Sequence, residues 1–162
     1  MKRKGMIFLL VLIVLAVIDS AYLANLHYST GESFCDRIKI GEARIDCGTV
    51  NRGAYSEFPP WTFTWWVDAG LPSIPNSILA VVTFIALGVL AISSLRTQNP
   101  QTERKLYNWI FGILLISFFF GLWLIYIQKF VLATWCLLCL VLDVLILLSL
   151  ITIVAVRRKK PQ

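Results

Sequence analysis

Four apolar stretches dominate this chain, at about residues 6–26, 76–95, 108–128 and 132–156. Each is close to the roughly 20 residues that a helix needs to cross a hydrocarbon core. In lipid no water satisfies an open backbone, so each stretch must be helical. The spacing therefore predicts an all-α membrane protein, a four-transmembrane-helix bundle formed by a single domain over residues 1–162. With 58% hydrophobic residues in 162, the chain is too apolar for a soluble domain of this size. A few polar residues follow the last apolar stretch, which leaves no space there for a second folded unit.

The net charge of +6 does not point to nucleic acid. Of the 15 Lys and Arg, 10 lie in three clusters beside apolar stretches: Lys2, Arg3 and Lys4; Arg96, Arg104 and Lys105; Arg157, Arg158, Lys159 and Lys160. Such clusters set topology. They predict cytoplasmic N and C termini and a cytoplasmic 96–107 connection. The long 27–75 loop, with six acids against four bases, and the short turn near 128–131, with only Lys129, fall on the other face. A cleaved signal peptide is the competing reading of MKRK and its apolar run. That run continues through Ile18, and removal would leave only three spans.

The long loop is not a linker. Phe58-Pro59-Pro60-Trp61-Thr62-Phe63-Thr64-Trp65-Trp66 has an aromatic density suited to a lipid–water boundary. It reads either as interfacial anchoring or as a lid over the outer mouth of the bundle.

Four cysteines fall in two pairs on the same predicted face of the membrane. Cys136 and Cys139 are three residues apart, so on a helix they share a face. If Thr134 caps that helix, Cys136 lies in its first turn, where unpaired N–H groups and the helix dipole favour a thiolate. A thiolate is the attacking species in thiol–disulfide exchange. Cys35 and Cys47 enclose a polar segment with Asp36, Arg37, Lys39, Glu42, Arg44 and Asp46, expected to be mobile enough to swing. Three blander readings stand beside this. The CxxC pair can serve as two small apolar residues, the loop pair as a structural disulfide, and the four together as zinc ligands. The long loop spacing does not favour zinc, and no metal is expected.

These features resemble the vitamin K epoxide reductase family, in its prokaryotic form without a fused thioredoxin-like domain. The resemblance rests on Cys35, Asp46-Cys47-Gly48-Thr49-Val50-Asn51, Asn76-Ser77 and Thr134-Trp135-Cys136-Leu137-Leu138-Cys139-Leu140, and it covers nearly the whole chain. It implies a quinone-dependent thiol–disulfide oxidoreductase. Cys35 would meet an external thioredoxin-like protein, and Cys47 would pass electrons to Cys136. Cys139 would face a membrane quinone of the ubiquinone, menaquinone or vitamin K type and form the adduct with it. Asn76 matches a position that hydrogen-bonds a quinone oxygen in some members. The chain departs from the family in three places. The Cys35–Cys47 spacing is long, Gly53 stands where Ser or Thr is usual (Thr49 and Ser56 are the candidates to substitute), and Asp143 stands where the vertebrate enzymes have Tyr.

Asp143 lies four residues after Cys139 and seven after Cys136, on their face and deeper in the membrane. An acid inside a membrane helix is costly and is usually functional or paired. Here it is expected either to carry a proton to the quinone or to bond to a neighbouring helix. Asp19, Asn25 and His27 lie along the outer part of the first helix; His27, the single histidine, is placed to pair with Asp36 or another loop acid. Lys129 precedes the CxxC and either supports thiolates or snorkels.

The resulting expectation is an enzyme of the cell membrane, with its redox loop extracytoplasmic, that promotes disulfide formation. The alternatives are a vitamin K epoxide or quinone reductase of the endoplasmic reticulum and a non-enzymatic membrane scaffold with structural disulfides.

Overall fold

The computed structural model of the protein describes residues 2–29, 35, 45–53, 55–58, 68, 70 and 73–158. Among these the element order is α1 (Lys2–Tyr28), α2 (Cys47–Arg52), β1 (Glu57–Phe58), β2 (Ile74–Pro75), α3 (Asn76–Arg96), α4 (Pro100–Phe130) and α5 (Leu137–Arg158). Four of them, α1, α3, α4 and α5, are long and apolar enough to cross a membrane. The protein is a four-helix membrane bundle.

The core follows from helical spacing. Met6, Leu9, Ile13 and Ala16 recur at three and four residues and form one buried stripe on α1. That stripe packs with Phe84, Leu87 and Ala91 of α3, Ile110 and Leu114 of α4, and Ile146 and Ile153 of α5. α1 contacts α3 and α5, and α4 contacts the same two from the opposite corner, so the helices form a square. The outward faces remain apolar, with Val14, Val89, Trp109, Ile116 and Ile151 exposed. A lipid solvent allows this arrangement, since apolar surface facing lipid costs nothing to leave uncovered.

The two largest boundary differences from the sequence reading have local causes. α4 starts at Pro100 rather than near 108. The Asn99 side chain accepts the Gln101 amide at 2.9 Å, and Pro100 occupies the first turn, where its missing N–H is no loss. The 31 residues make a helix about 46 Å long at 1.5 Å per residue, so its charged first turns extend beyond a hydrocarbon core. α5 starts at Leu137 rather than 132. Residues 131–136 form an irregular turn in which Ala133 has φ 49°, a left-handed conformation that interrupts any helix.

The ends of α1 and α4 and the starts of α3 and α5 meet at one end of the bundle, where α2 and the β pair also lie. β1 and β2 are antiparallel, with Glu57 opposite Pro75 and Phe58 opposite Ile74.

Candidate redox site

The geometry starts with α2, whose N-terminal residue is Cys47. Asp46 caps it: its carboxylate accepts the Thr49 amide at 2.7 Å and the Thr49 hydroxyl at 2.5 Å. Three hydrogen bonds then fasten α2 to the end of α1. Asn51 Nδ2 donates to the Leu23 carbonyl at 2.5 Å, and Arg52 Nη1 donates to the Ser29 carbonyl at 2.7 Å. His27 Nδ1 lies 2.6 Å from the Asn51 carbonyl oxygen. The Cys47 end of the redox loop is therefore anchored. The segment expected to swing falls mostly on residues 36–44, which lie outside the described residues.

α5 is built differently from the sequence expectation. Thr134 does not cap it, because its hydroxyl donates to the Leu132 carbonyl at 3.1 Å. Cys136 takes that position instead. Its carbonyl accepts the Leu140 amide at 3.1 Å, and its Sγ accepts the Cys139 amide at 3.1 Å. This is the bond pattern of an N-cap residue, with sulfur in place of the usual oxygen. A backbone amide aimed at Sγ, at the positive end of a helix, favours a thiolate there. The remaining amide of Cys136 donates to Gln128 Oε1 at 2.9 Å, and the Gln128 carbonyl accepts the Thr134 amide at 3.1 Å. Gln128 is 2% exposed, so one buried side chain of α4 holds the turn that carries the first cysteine of the CxxC.

The two pairs are brought together. Cys35 pairs with Cys47 at a Cα–Cα distance of 6.1 Å, and Cys136 pairs with Cys139 at 5.2 Å. Ile45 bridges Trp135 in parallel, and the Asp46 amide donates to the Trp135 carbonyl at 3.1 Å. Cys35, Cys47 and Cys136 then share one buried cluster with Leu23 and Leu26, against which Cys139 packs.

Below this cluster is a cavity of about 410 Å³. Its walls include Phe58, Phe84, Phe120 and Leu142, with Cys139 and Asp143 on the α5 side and Asn76 and Ser77 on the α3 side. Phe58 stands edge-on to Phe120, with ring centroids 6.1 Å apart. Asn76 is oriented by two bonds: its amide N–H donates to the Ser56 carbonyl at 2.7 Å, and its Nδ2 donates to the Tyr55 carbonyl at 2.9 Å. Among the described residues, Asn76 Oδ1 and Ser77 Oγ are buried and have no hydrogen-bond partner. Asp143 sits opposite Gly121 of α4, where a Cβ would collide with its carboxylate.

Other sequence candidates lie further out. Asp19 lines a separate groove between α1 and α5 with Tyr22 and Leu138. His27 Nε2 is 3.8 Å from Glu57 Oε1, so it pairs with a loop acid, while Asp36 is outside the described residues. Lys129 Nζ lies 5.2 Å from the Phe130 ring centroid. Of the two candidates for the Gly53 departure, Thr49 donates its hydroxyl to Asp46, and Ser56 Oγ donates to the Gly53 carbonyl at 2.7 Å. Of the aromatic lid, only Phe58 is described, and it lines the cavity; residues 59–67 lie outside the described residues. Sequence reasoning overlooked Gln128 and Gly121. A lone amide late in an apolar helix, and a small residue in a run of Phe and Leu, were the available signals.

The sequence match decides the family: the vitamin K epoxide reductase family covers residues 7–154. This chain belongs to that family. No individually curated protein matches it. As a member of the vitamin K epoxide reductase family, an oxidoreductase family, the chain puts paired cysteines at disulfide distance beside an apolar cavity among membrane helices.

Proposed function

We propose that this protein is a quinone-dependent thiol–disulfide oxidoreductase that reoxidises a separate thioredoxin-like protein and so promotes disulfide formation. One observation carries the reading: Cys139 packs against the shared cysteine cluster and also forms part of the cavity wall. An electron pair can thus pass from buried sulfur to a ligand without crossing the bundle.

The cavity suits a quinone. Its walls are mainly apolar and aromatic, and two buried polar atoms in it, Asn76 Oδ1 and Ser77 Oγ, have no partner among the described residues. A quinone of the ubiquinone, menaquinone or vitamin K type supplies a two-electron, two-proton acceptor in such a site. The chain's own residues then divide the work. Cys35 exchanges with the external dithiol. The thiolate of Cys47, fixed on α2, attacks the Cys136–Cys139 disulfide at Cys136 and releases Cys139; Cys35 then closes on Cys47 and releases Cys136, whose Sγ is stabilised by the Cys139 amide. When the Cys136–Cys139 dithiol closes to a disulfide, it gives up two electrons and two thiol protons. Asn76 orients the ligand, and Asp143 holds or relays a proton at the cavity wall.

The basic clusters favour a multi-pass cell-membrane protein with cytoplasmic termini and an extracytoplasmic redox loop. The test is reduction of decylubiquinone by purified protein in nanodiscs, with dithiothreitol as donor. Wild-type protein bleaches the quinone band and Cys139→Ala does not. Absence of reduction by wild-type protein would overturn the reading, and turnover of vitamin K epoxide in its place would favour a vitamin K epoxide reductase.

A further inference from the structure

We propose that His27 is a positioning residue for quinone binding: its ring clasps the segment of chain that closes the loop side of the cavity, at Asn51 and at Glu57. The proposal deepens the quinone reading and rests on it.

His27 stands in the last turn of α1, and its two nitrogens meet different groups. Nδ1 lies 2.6 Å from the Asn51 carbonyl oxygen. A carbonyl oxygen only accepts, so Nδ1 carries the proton of this bond. Nε2 is then the nitrogen left to take up a second proton. It lies 3.8 Å from Glu57 Oε1, within ion-pair reach. In the charged ring an N–H faces that carboxylate; in the neutral ring a lone pair does. Glu57 uses its other oxygen, Oε2, to accept the Ser73 hydroxyl, which leaves Oε1 for the imidazole.

The clasped segment serves the cavity at four points. Asn51 and Phe58 line it. The carbonyls of Tyr55 and Ser56 accept from the Asn76 side chain and amide and so orient that residue. Glu57 directly precedes Phe58 and lies opposite Pro75, which directly precedes Asn76. The two contacts of the ring are not equivalent. The α2 end of the segment has further ties to α1, through the Asn51 side chain and Arg52. The Glu57 end reaches α1 through His27 Nε2. The ion pair therefore bears on Phe58 and the surroundings of Asn76 more than on Cys47, and its loss should be felt by the quinone rather than by thiol exchange.

Two substitutions separate these contacts. His27→Asn keeps a side-chain N–H at the Nδ1 position and removes Nε2. Glu57→Gln keeps the length of the side chain and an acceptor for Ser73 and removes the charge. Decylubiquinone reduction by protein in nanodiscs, with dithiothreitol as donor, gives the quinone KM and kcat. Each single substitution should raise the quinone KM about 2- to 5-fold, the upper range for one ion pair of this exposure, while kcat holds. The double variant should be no worse than either single, because the two residues act through one contact. In the Cys35→Ala/Cys139→Ala background, His27→Asn should leave the rate of Cys47–Cys136 bond formation unchanged, as followed by timed alkylation. A wild-type KM in both single variants overturns the proposal and leaves the quinone reading intact. Losses that add in the double variant overturn it as well, by making the two residues independent. A slower Cys47–Cys136 step with an unchanged KM overturns it by assigning His27 to thiol exchange. Failure of wild-type protein to reduce the quinone removes both readings.

Discussion

The amide of Asp46 donates to the carbonyl of Trp135 across 3.1 Å, and each of these residues directly precedes a cysteine. The backbone bond therefore registers α2 against the start of α5, and the buried cluster joins Cys47 to Cys136. A disulfide needs Cα atoms about 4.4–6.8 Å apart, and paired backbones about 4.8 Å apart lead into that range. Removing the two outer partners, as Cys35→Ala/Cys139→Ala, should leave Cys47 and Cys136 to bond to each other. Non-reducing peptide mapping should find that bond in most molecules. Two free thiols after mild oxidation would count against direct exchange between the pairs.

Asp46 also holds Cys47 in place through its cap on α2. Asp46→Ala should cost about 1 kcal/mol, the typical loss of an N-cap, and lower the unfolding temperature by about 2–4 °C for a chain of this size. It should also slow formation of the Cys47–Cys136 bond in the double alanine background, as followed by timed alkylation. An unchanged bonding rate would mean that the three bonds from α2 to α1 suffice to position Cys47.

Gln128→Leu should be costlier than its exposed surroundings suggest. The substitution leaves the Cys136 amide buried without an acceptor, a loss of about 1–3 kcal/mol. Thermal unfolding in nanodiscs should show it, together with faster alkylation of Cys136 under reducing conditions as the turn loosens. A silent Gln128→Leu would place the hold on this turn elsewhere, for example in the Trp135–Asp46 backbone bond.

Much of the bundle was legible in the sequence because hydrophobic length is a one-dimensional signal. The four spans, the two cysteine pairs and the CxxC beside Asp143 needed only counting. The exact helix starts were not legible, because they depend on side chains meeting backbone across distance. Thr134 looked like the cap of α5, yet the left-handed Ala133 sends the chain round so that the sulfur of Cys136 caps it. Gln128 was invisible for a similar reason: its partner is eight residues away, across an irregular turn.

Gly121 and Asp143 should behave as one unit. A Cβ at position 121 would collide with the Asp143 carboxylate, so the glycine makes the space in which the acid faces the cavity. If Asp143 handles a proton, Asp143→Ala should slow quinone reduction by about 100-fold, the lower end of acid–base contributions. Asp143→Asn should be nearly as slow, since it keeps the shape but cannot exchange a proton. Gly121→Ala should approach the same defect by displacing the carboxyl group. In the Asp143→Ala background, Gly121→Ala should add little, because the atoms it would strike are gone. Contacting residues give such non-additive effects, whereas independent sites add. Stopped-flow quinone reduction by the four proteins closes the cycle. Additive losses would mean that Gly121 acts through helix packing alone, and a normal rate for Asp143→Asn would remove the proton role.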